Sequence, residues 1–176
     1  MLRGLFSDHG LCCVPVVCNK SIEDDRAVFK SEVGGVGKMK CELLSEQKLK
    51  LLLDFVDDVN TKYDIAILKE FLKEKNAYGY IAEHNGKVIG FAYGYVLNEP
   101  DGRKIYYLHA IDIMDGWQDQ GYGTQLVRFI HEQSKALGCR KMFLMTDTDN
   151  VSACRCYEKA GGTKTAADVV MYEYIN

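Results

Sequence analysis

Hydrophobic and polar positions along the chain predict a mixed α/β domain that begins near Met39. Apolar residues recur at helical spacing from Leu49, from Ile65 and from Leu126 onward. Shorter apolar runs between them indicate strands, and Asn85-Gly86 between two such runs is a strong cue for a β-hairpin. The predicted strands are 40–44, 77–83, 88–97, 105–113, 140–146 and 169–175.

Four helices are predicted, two of them between the first two strands. Ser45 and Asp64 are expected to cap these two, because their short side-chain oxygens can accept from the first free backbone N–H groups. The third helix follows the strand 105–113, and the fourth covers 150–160. The element order is therefore β-α-α-β-β-β-α-β-α-β. The buried faces of the first two helices are expected to be Leu49, Leu52, Leu53 and Val56, then Ile65, Leu68, Phe71 and Leu72.

Length and charge narrow the function classes. A chain of 176 residues is one domain with room for a real core. The formal net charge of −3 argues against a nucleic-acid partner and is compatible with a cationic substrate. No run of 18 apolar residues occurs, so no membrane partner is expected.

Seven cysteines are present without a Cys-x-x-Cys pair. This pattern favours reduced thiols in a cytoplasmic protein over a disulfide framework. The pair Cys154 and Cys156 does not offer a shared ligand geometry on a helix, so no metal site is expected. The cysteines interpreted as reduced thiols are Cys41, Cys139, Cys154 and Cys156.

Residues 1–38 differ from the rest in composition and end in the glycine-rich run 33–38, which is typical of a flexible joint. They are either an upstream extension or an appendage that packs on the core or on a partner chain. The extension is favoured, which places the folded domain at 39–176. A truncation at Met39 that lost folding or activity would contradict this interpretation.

A glycine-rich loop joins the strand 105–113 to the third helix. Gly121 and Gly123 leave the first backbone N–H groups of that helix bare, at the positive end of its dipole, which suits a phosphate. A dinucleotide-binding loop would need a third glycine where Leu126 stands, and no Gly-Lys-Ser/Thr follows for a P-loop.

The spacing Gln118-x-x-Gly121-x-Gly123 resembles the acyl-CoA signature of the GNAT family of N-acetyltransferases. The segment 149–162 resembles the same family's Asn-x-x-Ala-x-x-x-Tyr-Glu-Lys-x-Gly pattern, and the resemblance covers roughly 39–176. It implies acetyl-CoA as cofactor and a mixed central sheet of six to seven strands with about four helices, splayed between the fourth and fifth strands. The residues it assigns to the cofactor are Ile111, Ile113, Gln118, Asp119, Gln120, Gly121, Tyr122, Gly123, Thr124, Asn150 and Ala153.

The resemblance also implies a proton donor. Asn150 can cap the fourth helix while its amide reaches the pantetheine arm, and Tyr157 projects from the same face two turns later. In the family the corresponding tyrosine protonates the departing thiolate, a role that suits a phenol. The competing interpretation is that Tyr157 is a half-buried packing residue.

The strand 105–113 is expected to carry the remaining chemistry. The family splays it near a bulge, so that the amide of Ile113 or a neighbour polarises the thioester carbonyl. Simple alternation places two sets of side chains on opposite faces, and a bulge would change that phase. The sets are Tyr107, His109, Ile111 and Ile113, against Leu108, Ala110 and Asp112.

Two further segments, 108–113 and 161–172, resemble the aminoglycoside 3-N-acetyltransferase branch of the family. That branch commonly carries a carboxylate where this chain has Ala110. His109 is the natural substitute as the base, since histidine exchanges protons nearest neutral pH, and Asp112 is a second candidate. Either residue could equally be structural. The carboxylates expected to meet a cationic substrate are Glu99, Asp101 and Asp168.

The favoured hypothesis is an acetyl-CoA-dependent N-acetyltransferase acting on a small polycationic amine, with the 3-amino group of an aminoglycoside antibiotic as the expected acceptor. Attack is expected to be direct within a ternary complex, without a covalent acyl-enzyme. The alternatives are acetylation of a protein lysine or N-terminus, and a non-catalytic acyl-CoA-binding module. The last strand offers an edge for homodimer formation.

Overall fold

The computed structural model describes residues 31–32, 39–57, 60–165, 172 and 174–175, and they form one sheet with helices on both faces. The six strands follow one another across the sheet in chain order. All neighbours are antiparallel except the last two, which are parallel. The strands are β1 (Ser31–Glu32), β2 (Met39–Leu43), β3 (Ala77–His84), β4 (Lys87–Asn98), β5 (Lys104–Ile113) and β6 (Met142–Phe143).

The helices divide between the two faces, and the buried clusters show the division. One cluster packs Leu126 and Ile130 of the third helix against the sheet, and the other packs Leu52 and Leu68 of the first two helices on the opposite face. The helices are α1 (Leu49–Leu52, after a 3-10 turn at Glu46–Lys48), α2 (Ile65–Lys73), α3 (Tyr122–Ala136) and α4 (Val151–Lys159). No helix in the described part of the chain is both long and apolar enough to cross a membrane.

Most local predictions are confirmed. The Asp64 carboxylate accepts from the backbone N–H groups of Ala66 at 2.7 Å and Ile67 at 3.2 Å, as expected for the N-cap of α2. The β3–β4 hairpin turns at Asn85 and Gly86, which both have positive φ angles of 50° and 81°.

The first helix is shorter than predicted. Its α-helical part ends at Leu52, so Leu53 and Val56 are 44% and 47% exposed instead of facing the core. Phe55, 2% exposed, takes the buried position because the chain leaves the helix before reaching it. Ser45 precedes the 3-10 turn without a side-chain capping bond.

The sheet also departs from the prediction. From Met39 onward the described chain contributes five strands, and not six to seven. The predicted strand 169–175 lies outside the described residues except for 172, 174 and 175. The upstream segment supplies β1, whose Ser31 and Glu32 pair with Cys41 and Lys40, so these two residues extend the sheet.

Candidate functional site

The loop between β5 and α3 is shaped by three left-handed residues. Gly116, Asp119 and Gly121 have φ angles of 80°, 57° and 85°. Gly121 is the N-cap of α3 and provides no side chain, so the N–H groups of the first turn have no capping side chain. The first bond of the helix runs from the N–H of Gln125 to the carbonyl of Gly121 at 3.1 Å. The resulting cluster of backbone donors is suited to an anion.

Two glutamines brace this loop from within. The Gln118 amide donates to the carbonyl of Ile113 at 2.8 Å, and the Gln120 amide donates to the carbonyl of Gly116 at 2.9 Å. The Tyr122 ring is buried and lies 5.8 Å from the Trp117 ring. In the structure these side chains therefore hold the shape of the loop.

Gly123 is the point where β5, α3 and α4 meet. A Cβ atom built on Gly123 would lie 3.2 Å from Cys156 Sγ and 3.6 Å from Ile113 Cγ1. The Thr124 hydroxyl donates to the Cys156 carbonyl at 3.5 Å, and the Arg128 guanidinium donates to the Lys159 carbonyl. These contacts hold α4 against the first two turns of α3, beside the end of β5.

The fourth helix begins as the sequence predicts and carries Tyr157 directly after Cys156, the residue that contacts this junction. Asn150 Oδ1 accepts from the N–H of Ala153 at 3.2 Å and caps the helix. Burial raises the pKa of Tyr157 to about 12, with a smaller contribution from the Cys156 and Cys154 thiols. The phenol therefore stays protonated at neutral pH and can serve as an acid.

The cysteines that the structure describes are buried or half-buried. Burial raises the pKa of Cys156, so its thiol stays neutral and is a weak nucleophile at neutral pH. The four cysteines that the structure describes are free thiols, as expected: Cys41, Cys139, Cys154 and Cys156.

A bulge at His109 corrects the predicted alternation along β5. Gly94 pairs with Leu108 while Tyr93 pairs with Ala110, so His109 is the extra residue. Before the bulge, Tyr106 donates its N–H to Lys141 toward β6, and beyond it Met114 donates to Ile89 on the β4 side. Before the bulge the even-numbered amides therefore point toward β6, and beyond it they point toward β4. Beyond the bulge the odd-numbered amides of Ile111 and Ile113 face β6 instead.

The same bulge separates the side chains that alternation had grouped together. Ile111 and Ile113 belong to the cluster under α3, whereas Tyr107 and His109 contact rings on the opposite face. The prediction that these four residues share a face is wrong, because one inserted residue reverses every later position.

The parallel pairing of β5 with β6 stops early and leaves a fork. Tyr106 pairs with Met142 and Tyr107 with Phe143, and β5 then continues to Ile113 without a described parallel neighbour. The predicted seven-residue strand 140–146 is therefore reduced to Met142–Phe143. We call this opening the β5–β6 fork, and it lies where the splay was predicted.

Two backbone amides of β5 are turned toward the β5–β6 fork, but they are not equivalent. The Ile113 N–H donates to Asp112 Oδ1 at 2.8 Å, so it is already engaged. The alternation of amides described above directs the Ile111 N–H to the same side. Ile111 is accordingly the better placed donor for a carbonyl oxygen in the fork.

The face of the fork opposite α3 carries four partly exposed rings that sequence reasoning missed. Three of them contact His109, whose ring centroid lies 5.1 Å from that of Tyr93, 6.1 Å from that of Tyr95 and 5.4 Å from that of Tyr107. The His109 Nδ1 atom also lies 3.2 Å from the Tyr107 hydroxyl. We call Tyr93, Tyr95, Tyr107 and Phe143 the aromatic row. The spacing of Tyr93 and Tyr95 was the available signal, since residues two apart in a strand share a face.

The carboxylates predicted to meet a substrate lie elsewhere. Glu99 and Asp101 are in the β4–β5 turn, where Arg140 Nε lies 3.2 Å from Glu99 and Arg103 Nη2 lies 2.6 Å from Asp101. Glu99 is five residues along β4 from Gly94 at the bulge, or about 16 Å of strand. Asp168 lies outside the described residues. The structure therefore places Glu99 and Asp101, the two members of this set that it describes, away from the bulge.

A different carboxylate, Asp57, is close to the aromatic row. Its Oδ2 atom accepts from the Tyr63 hydroxyl at 3.2 Å. The pKa of Tyr93 is raised by burial first, then by Tyr95, Tyr107 and the Asp57 carboxylate. Asp57, which follows α1, is thus near enough to act electrostatically on this face.

Comparison with protein families identifies one match. The model described as the Acetyltransferase (GNAT) family matches residues 45–162 of this chain. These residues run from the 3-10 turn before α1 to the end of α4, so they include the loop, the bulge and Tyr157.

Solved structures with the same fold include several acetyltransferases. One is an aminoglycoside acetyltransferase from an uncultured soil metagenomic sample in complex with sisomicin, 21% identical with a TM-score of 0.67, covering 78% of this chain and 97% of that one. Another is the aminoglycoside N-acetyltransferase AAC(6')-Iy in complex with CoA, 19% identical with a TM-score of 0.62, covering 76% of this chain and 98% of that one. The same enzyme is also similar in complex with the bisubstrate analogue CoA-S-monomethyl-acetylneamine, at 19% identity and a TM-score of 0.62, covering 79% of this chain and 100% of that one.

Proposed function

Because the chain belongs to the Acetyltransferase (GNAT) family, we propose that it transfers acetyl from acetyl-CoA to a primary amine of a small cationic molecule. The observation that carries this proposal is the junction at Gly123. There an uncapped helix N-terminus, the end of β5 and the helix bearing Tyr157 lie within contact distance. A ligand that carries both an acyl thioester and a diphosphate requires these three elements.

The residues present fit acetyl-CoA. The N–H groups at the start of α3 are bare, because Gly121 has no side chain to cap them and a φ angle that favours glycine. A Cβ atom built on Gly121 would meet no atom within 4 Å, so the space beside this N-cap is open. When bound, acetyl-CoA supplies an activated acetyl group and a thiol leaving group.

Different groups of this chain then carry out the separate steps of acetyl transfer. The Ile111 N–H, directed into the β5–β6 fork, donates to the carbonyl oxygen as negative charge develops there. Tyr157 gives its proton to the departing sulfur, which its high pKa makes possible across the neutral range. His109, exposed at the bulge, takes a proton from the incoming ammonium, and Asp112 is the alternative base.

For the acceptor we propose an aminoglycoside, acetylated at its 3-amino group. Support comes from the resemblance of 108–113 and 161–172 to that branch and from the neighbours with aminoglycoside substrates in their names. The neighbours include a 6'-acetyltransferase, so the position of transfer is the finer part of the proposal.

The test combines binding with turnover. Calorimetry should show acetyl-CoA binding to the protein alone, and release of free thiol should follow when sisomicin or neamine is added. Mass spectrometry with fragmentation then locates the acetyl group on the product. Absence of acetyl-CoA binding would refute the whole proposal, whereas turnover with lysine peptides and not with aminoglycosides would refute the acceptor alone.

A further inference from the structure

The aromatic row crosses three strands at the point where the fork opens. Tyr95 on β4 is the Cα partner of Tyr107 on β5, and Tyr107 is the partner of Phe143 on β6. The Tyr107 and Phe143 rings are stacked, with centroids 5.0 Å apart and an interplanar angle of 16°. Because Tyr107 and Phe143 are the last parallel pair, the aromatic row lies where β5 and β6 separate.

The row remains open on the side away from α3. The rings of Tyr93, Tyr95, Tyr107 and Phe143 are each partly exposed, and His109 among them is exposed. α2 reaches the row through Phe71, whose ring lies 5.9 Å from that of Tyr93. The helix α2 thus borders the row at the β4 side, and the part of the row on β5 and β6 stays partly exposed.

The charge distribution of the aromatic row favours binding of a cation. Ring faces of tyrosine and phenylalanine are negative and attract ammonium groups within about 6 Å. An ammonium of the chain itself, that of Lys141, already lies 6.0 Å from the centroid of the Phe143 ring. The Asp57 carboxylate acts on Tyr93, whereas the Lys141 ammonium adds positive charge beside Phe143, so a further cation is favoured at the Tyr93 end of the row.

We propose that the aromatic row is the acceptor subsite, and that it holds an ammonium group of a di- or polyamine, with its adjoining C–H surface, against the ring faces. This rests on the proposed function, because the second amine of the same molecule must reach the β5–β6 fork at His109. Recognition of the cation then depends mainly on rings, with Asp57 assisting. The expected acceptors are amines with at least two amino groups on a compact carbon skeleton.

Replacing one ring separates this proposal from a carboxylate site. Tyr95→Leu removes the ring face and Tyr95→Phe retains it, so the pair isolates the ring from the hydroxyl. With CoA-saturated protein and sisomicin as the probe, calorimetry should give about tenfold weaker binding for Tyr95→Leu and less than about twofold change for Tyr95→Phe. Phe143→Leu provides a second position, and thermal unfolding establishes that each variant is folded.

A second probe does not depend on the identity of the substrate. Tetramethylammonium can contact ring faces but cannot donate a hydrogen bond to a carboxylate, so its binding depends more on the rings than on Asp57. Its binding, followed by NMR, should weaken in Tyr95→Leu and persist in Asp57→Asn. Raising the salt from about 50 to 500 mM should affect it little, since contact with a ring is screened less than an exposed ion pair.

Several results would overturn the proposal. Folded Tyr95→Leu and Phe143→Leu proteins that bind sisomicin like wild type would do so, as would equal losses in Tyr95→Leu and Tyr95→Phe. Wild-type protein that binds neither probe would also overturn it. The proposed function fails separately, through absence of acetyl-CoA binding or of thiol release with any amine.

Discussion

The two faces of the β5–β6 fork differ in the chemical groups that they present. On the α3 face the groups proposed to act are backbone N–H groups, a helix cap and a phenol, contributed by Gly121, Gly123, Asn150 and Tyr157. On the opposite face they are the rings of the aromatic row around His109, contributed by three separate strands.

This difference matches what each face has to bind. A diphosphate and a thioester are the same in every catalytic cycle, so local backbone geometry suffices to recognise them. An acceptor is recognised by side chains, which can differ at each strand position without disturbing the hydrogen-bonded sheet. We therefore expect mutations on the α3 face to affect acetyl-CoA and chemistry, and mutations on the opposite face to affect the amine.

The largest expected effect lies on the α3 face. Tyr157→Phe removes the proton donor and should lower kcat by about 10²- to 10⁴-fold, while calorimetry shows acetyl-CoA binding retained. The control is Tyr78→Phe, a half-buried tyrosine in β3, which should keep its rate. Unchanged turnover in Tyr157→Phe would mean that another group protonates the thiolate.

The pH dependence of kcat tests the same proposed role of Tyr157. Because burial raises the pKa of Tyr157 to about 12, the acid is protonated well above pH 10 and ionises only as the pH approaches 12. We expect no alkaline loss of kcat between pH 8 and about 10.5 in stopped-flow assays. A fall in kcat centred near pH 9 would exclude a phenol with this pKa as the acid.

The next effect lies on the opposite face, at His109. His109→Gln removes the proposed base and should lower kcat by about 10- to 100-fold at neutral pH, with recovery as the pH rises and the free amine becomes abundant. Asp112→Asn is the matched comparison on the same strand. A larger loss in Asp112→Asn, without change in His109→Gln, would assign the base to Asp112.

The two ends of α3 offer a matched test of the anion site. Gly121 and Gly138 have φ angles of 85° and 77°, and a Cβ at either position would meet no atom within 4 Å. Alanine should therefore cost each protein a similar amount of stability, about 1 to 2 kcal/mol. Gly121→Ala alone should weaken acetyl-CoA binding, by about tenfold in calorimetry. Equal binding by the two variants would argue against an anion site at this loop.

The smallest effect is expected at the β4–β5 turn. Glu99→Gln removes the partner of Arg103 and Arg140 at an exposed site about 16 Å from the bulge. KM for sisomicin should change by less than about twofold, and the free energy of unfolding by less than about 1 kcal/mol. A rise in KM comparable to that of Tyr95→Leu would show that the acceptor reaches this turn, as the sequence had suggested.

The sequence by itself determined the α3 face. The Gly-x-Gly spacing, the Asn150 cap and the position of Tyr157 are local features, because each depends on residues within a few positions along one loop or helix. The same holds for the Asp64 cap and the Asn85-Gly86 turn, which follow from backbone preferences of those residues.

Only the tertiary structure decided the opposite face. The inserted His109 reverses the faces of β5, and no feature within that strand marks the position of the insertion, since a bulge depends on pairing with β4. The aromatic row depends on register across β4, β5 and β6, so residues 95, 107 and 143 become neighbours through hydrogen bonds between strands. Local sequence encodes backbone conformation, whereas contact between distant side chains is fixed only when the sheet forms.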